Sequence, residues 1–179
     1  MRRDRFDRIL LLALVGVVAA LAWMLLAGRG EGDVFATTVD RDLEQAMAVR
    51  TRMAFLEQTY APVAELQRQG RDQQALLKLA ELDRRFPGEA HGELLRAASL
   101  QRLGALDEAI TAAVRGIRRN GDYLEDGSPW SRRGQIESLV AAGLKNIVPR
   151  ARAHPGDPVM ARAVKNVHYL QSRLAGGCE

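Results

Sequence analysis

Two identical dipeptides, Gln67-Arg68 and Gln101-Arg102, stand in this chain of 179 residues. Each joins a side-chain amide, which donates and accepts hydrogen bonds, to a guanidinium whose planar fork fits a carboxylate. Stacked side by side, the four side chains would recognise peptide backbone or carboxylates by hydrogen bonding rather than by reaction. Residue types suited to covalent chemistry are thinly placed. His91, His154 and His168 lack the spacing of metal ligands, and Ser99, Ser128, Ser131, Ser138 and Ser172 have no evident base partner. No HExxH helix, GxSxG elbow, Walker-type loop or GxGxxG turn occurs. The sequence therefore predicts a protein that is not an enzyme and has no catalytic, cofactor or metal site. Cys178, the single cysteine, excludes an intrachain disulfide and reads as part of a flexible tail, 176–179.

Each Gln-Arg pair ends an apolar helix that a glycine, Gly70 or Gly104, can close in the left-handed conformation. A second apolar face then opens at Ala75 or Ala109 and runs to a breaker, Pro87 or Gly121. All three landmarks recur at the spacing that separates the two dipeptides, and a helical hairpin of this size must stack on a neighbour to cover its apolar side. On Gly70, Ala75, Leu79 and Pro87, and again on Gly104, Ala109, Ala113 and Gly121, the chain resembles the tetratricopeptide repeat family. The likeness covers about 56–87 and 90–121. It is weaker in the first helices, where Thr59 and Glu93 replace the usual tryptophan, Pro62 and Arg96 the usual leucine, and Leu66 and Leu100 the usual tyrosine. The resemblance implies a groove lined by first helices that holds a protein or peptide partner. Tyr60, Ala64, His91, Leu94 and Ala98 would share that groove with Gln67, Arg68, Gln101 and Arg102.

A degenerate third unit is expected over about 128–155, with Ser128-Pro129 starting a helix to about Ala142 and Gly143 and Pro149 breaking it. Asp157-Pro158 predicts a capping helix over 157–174, apolar at Val159, Ala163, Val167, Leu170 and Leu174. Upstream, Thr38 or Asp40 would cap a helix with one stripe through Leu43, Ala46, Val49, Met53, Leu56, Tyr60 and Val63, kinked or restarted at Pro62. That stripe can pack on the following helices or make a homodimer.

Residues 1–8 are basic, and Ile9 to Ala27 are uncharged and almost wholly apolar, roughly 28 Å as a helix. The charge bias predicts a signal anchor with a cytoplasmic N-terminus and the remainder in the periplasm of a bacterial-type envelope. The alternative is cleavage after Ala22. Residues 28–37 read as a flexible tether and 38–175 as the helical domain. The formal charge of +4 comes largely from the N-terminus, which argues against a nucleic-acid partner. The expected protein is all-α: a single transmembrane helix, then a short helical-hairpin solenoid with a C-terminal cap. It would act as a membrane-tethered adaptor or assembly factor for a protein or peptide. The alternative is a structural subunit of an inner-membrane complex.

Overall fold

The computed structural model describes residues 14–23 and 29–176, and it is helical with no strand among them. The basic segment 1–8, the outer parts of the predicted span (9–13 and 24–27) and Cys178 lie outside the described residues. Two units are distinguished, Met1–Phe55 and Leu56–Glu179. In the first, residues 14–23 belong to a helix, α1, on which every described residue is exposed. No helix among the described residues is long and apolar enough to cross a membrane.

Helix α2 spans Arg29–Arg68, so most of the predicted tether, from Arg29 on, is helical. Extending a formed helix fixes one residue per added bond, whereas nucleation fixes several, so the helix continues upstream of Thr38 and Asp40. It also continues through Pro62. Pro62 and Gln58, whose carbonyl lacks the usual donor there, are both exposed, so the orphan carbonyl is open to solvent.

In the second unit, α3 (Asp72–Arg85), α4 (Ala90–Arg102) and α5 (Leu106–Arg119) follow. The end of α4 follows the end of α2 at the interval of the sequence repeat, and both ends of α5 follow those of α3 at the same interval. The turns are the same object twice. Gly70 donates to the Gln67 carbonyl at 3.2 Å and Arg71 to Leu66 at 2.9 Å; Gly104 donates to Gln101 at 3.1 Å and Ala105 to Leu100 at 2.9 Å. This bond pair closes a helix only with a left-handed residue, and Gly70 and Gly104 have φ of 70° and 81°.

A 3-10 turn, Gly121–Leu124, leads to α6 (Arg133–Ala153) and α7 (Pro158–Leu174). Ser128-Pro129 starts no helix: Ser128 Oγ accepts the Trp130 N–H at 3.1 Å, and the Arg132 N–H returns to the Tyr123 carbonyl at 2.7 Å. The local serine turn competes with the helix and wins. Gly143 and Pro149 do not break α6, which is 21 residues long. Gly143 is instead a contact point, because a Cβ there would lie 2.7 Å from Val167 and 2.8 Å from Ile110. Asp157 caps α7 by accepting the Val159 N–H at 2.8 Å. The predicted capping helix is thus the second arm of a third hairpin.

Small residues let the helices approach: Ala97, Ala109, Ala112 and Ala113 are fully buried between larger partners such as Leu94, Ile110 and Ile117. One apolar cluster joins α4 to α7; a second gathers Leu56, Tyr60 and Val63 of α2, Ala75, Leu79 and Leu82 of α3, and Leu95 of α4. Trp130 packs against both. The stripe on α2 divides accordingly, with Leu56, Tyr60 and Val63 buried and Leu43 and Val49 exposed.

Candidate functional site

The two Gln-Arg pairs fall in the last turns of α2 and α4, where the helix runs out of intrahelical donors for its final carbonyls. Three of the four side chains bond to a neighbouring helix. Gln67 Nε2 donates to the Leu95 carbonyl and to Ser99 Oγ, both at 2.8 Å. Gln101 Nε2 donates to Ser138 Oγ at 3.0 Å. Arg102 Nε donates to the two carboxylate oxygens of Asp72 at 3.0 and 2.9 Å. Arg68 makes no such bond to a neighbouring helix among the described residues; its side chain is 76% exposed and pairs with Glu65 on its own helix.

Asp72 is buried at the start of α3, and the Arg102 hydrogen bonds hold its carboxyl below the usual range despite the opposing cost of burial. The device recurs one hairpin later, where Arg150 Nη2 of α6 reaches both oxygens of Asp107 near the start of α5, at 3.1 and 2.9 Å. In each case the end of one hairpin's first helix is tied to the start of the preceding hairpin's second helix. The guanidiniums stitch the stack.

Of the remaining groove residues, Tyr60 and His91 join Tyr123 and Trp130 in a ladder of rings in which the tyrosines are buried and His91 and Trp130 half-buried. Tyr60 and His91 have ring centroids 5.3 Å apart, His91 and Tyr123 6.2 Å, and Tyr123 and Trp130 6.0 Å. His91 Nδ1 lies 3.3 Å from the Tyr123 hydroxyl. Burial, helped by the positive Arg132, pushes the imidazole down to about 4, so it is neutral at physiological pH. Burial first, then the Glu89 and Asp83 carboxylates, push the Tyr60 phenol up to about 12. Its hydroxyl is buried and has no hydrogen-bond partner among the described residues. Leu94 is fully buried in the core, so its side chain is not offered to a groove; its carbonyl accepts from Gln135 of α6 at 2.9 Å. Ala64 and Ala98 are partly exposed.

Asp72, Ser99, Ser138, Tyr123, Trp130 and Gln135 were not singled out as groove residues by the sequence. Gln135 carried a signal, since it follows Gln101 at the interval at which Gln101 follows Gln67. Among the described residues no group of three His, Cys, Asp or Glu is placed to hold a metal. What the arrangement does chemically is align helices, pairing the Gln67, Gln101 and Arg102 donors while leaving the Tyr60 hydroxyl unsatisfied. Fold and site together define a helical-hairpin protein of three stacked pairs. Comparison with protein families, with curated proteins and with solved structures gave no match.

Proposed function

We propose that the chain is a membrane-anchored helical-repeat adaptor of the tetratricopeptide type, which holds a protein or peptide partner non-covalently at the inner membrane of a bacterial-type envelope. The observation that carries the adaptor reading is the identical turn at Gly70 and Gly104, which sets consecutive helix pairs in one register. Stacks of that kind expose long rows of side chains and need no reaction centre. Support for the anchor is the uncharged run from Ile9 to Ala27, on whose described part Leu14, Val17, Val18 and Trp23 are more than half exposed. An apolar surface of that kind needs a cover, and a bilayer supplies one.

Photo-crosslinkers placed at exposed positions of α3, α6 and α7 in native membranes, followed by mass spectrometry, test the adaptor. One recurrent protein adduct is expected, and adducts to lipid alone would overturn the reading. Resistance of the chain to alkaline carbonate extraction tests the anchor.

A second reading, a permanent subunit or homodimer, draws on a different observation. Leu43, Met47, Val49 and Phe55 of α2 are 39–59% exposed. Solubilised chain that never dissociates on dilution would favour it.

A further inference from the structure

The third hairpin carries a surface that the predicted groove does not include. Val148 and Ala151 of α6 and Ala161 and Val164 of α7 line a cleft of about 430 Å³, together with Arg152, His154 and His168. Val148, Ala151 and Val164 are half-buried, whereas Arg152, His154 and His168 are exposed, so the cleft has an apolar floor and a polar rim. His154 Nδ1 lies 3.1 Å from the Arg150 carbonyl and His168 Nδ1 lies 3.2 Å from Gln171 Oε1, which fixes both rings at the rim.

Past Glu137, which pairs with Arg133, the charge on this hairpin is one-sided. From Ser138 to Gly176 the cations are Lys145, Arg150, Arg152, Arg162, Lys165 and Arg173, against a single carboxylate, Asp157. Asp157, which also lines the cleft, already accepts the Val159 N–H as the cap of α7. Arg150 is taken by Asp107. Arg152 stands in the cleft lining, and Lys165 lies one helical turn from both Ala161 and His168, which are also in it. Lys145 is one turn from Val148.

We infer that the α6–α7 cleft is the docking site for an acidic amphipathic segment of a partner protein, a proposal that rests on the adaptor reading and names the partner's chemistry. Carboxylates of the segment pair with Arg152 and Lys165, and its apolar side chains enter between Val148 and Val164. A concave apolar floor suits inserted side chains, whereas a flat anionic lipid surface would meet the rim charges and leave the floor unfilled. Pairing at an exposed rim is screened by salt, so affinity falls as ionic strength rises.

The full chain in neutral phosphatidylcholine nanodiscs is titrated against a fluorescein-labelled peptide of Leu-Glu-Glu repeats, and anisotropy is read. Saturable, salt-sensitive binding is expected. It should fall about tenfold in Arg152→Ala/Lys165→Ala, vanish in Ala161→Glu, and persist in Arg84→Ala on α3. Circular dichroism of each variant should match the parent, because all four positions are exposed. Equal affinity in the double variant, equal binding of a Leu-Lys-Lys peptide, or binding only to phosphatidylglycerol vesicles overturns the proposal. The adaptor reading fails separately. A protein crosslinked to the chain in native membranes and retained by Arg152→Ala/Lys165→Ala removes the cleft but keeps the adaptor, whereas no protein adduct in the parent removes both.

Discussion

Arg102 grips Asp72 across two hairpins, with Nε 3.0 and 2.9 Å from the two carboxylate oxygens and Nη2 2.5 Å from one of them. The carboxylate is almost wholly buried, while the guanidinium keeps 44% of its side-chain surface. Removing the arginine strands a buried charge, a larger loss than the pair's own attraction. Arg102→Ala is expected to destabilise the fold by about 2 kcal/mol, discounted for the solvent that reaches the guanidinium. Arg68→Ala should leave stability unchanged. Urea unfolding in mild detergent compares them. Adding Asp72→Asn to Arg102→Ala should restore part of the loss, and an additive double variant would show that the contact does not hold the stack.

Gln67 makes the same point with a neutral group. Its amide satisfies both the Leu95 carbonyl and Ser99 Oγ, so Gln67→Ala is expected to cost about 1–2 kcal/mol, the value of a pair of half-buried hydrogen bonds. A thermal midpoint indistinguishable from that of the parent would show that water replaces the amide.

The two dipeptides were legible as a repeat, but their partners were not, and the reason is geometric. Helix ends and turns depend on a few adjacent residues, so Gly70 and Gly104, Ala75 and Ala109 could be read in place. Side-chain partners arrive from the next layer of the stack, and they do not obey the period. Gln67 finds Ser99, 32 residues on, whereas Gln101 finds Ser138, 37 residues on. Asp72 has no counterpart one repeat later, where Leu106 stands, and Arg150 turns to Asp107 instead. The all-α class and the start of α7 needed only local signals. The serine turn at Ser128 and the continuity of α6 through Gly143 needed the tertiary contacts of Tyr123 and Val167.

The neutral His91 gives stability a pH dependence with a defined sign. Its folded value near 4 lies below the ordinary 6.5, so between those limits the unfolded chain binds a proton that the folded chain refuses. Stability is complete above about pH 6.5 and is lost as pH falls toward 4, by about 3 kcal/mol at most. Asp72, whose carboxyl is lowered by Arg102, adds its own loss in the same direction only in the carboxylate range, below that window. Thermal midpoints between pH 7 and 5 should therefore fall in the parent and stay nearly level in His91→Gln. Parallel profiles in the two proteins would assign the effect elsewhere.

Gly143 sits where α6 meets both α5 and α7, and two effects compete there. Alanine favours a helix interior over glycine by about 1 kcal/mol. Against that, the added Cβ would stand 2.7 Å from Val167 Cγ2 and 2.8 Å from Ile110 Cδ1, closer than carbon atoms tolerate. Val167 and Ile110 are fully buried, so neither can move aside without shifting its own neighbours. Overpacking at such a point costs about 1–3 kcal/mol, so Gly143→Ala is expected to destabilise despite its better propensity. Val167→Ala alone should also destabilise, by opening a cavity. Combined with Gly143→Ala it gives the new methyl room, and the double variant should lose less than the sum of the two. If Gly143→Ala raises the thermal midpoint, the three helices do not cross as closely as the structure places them.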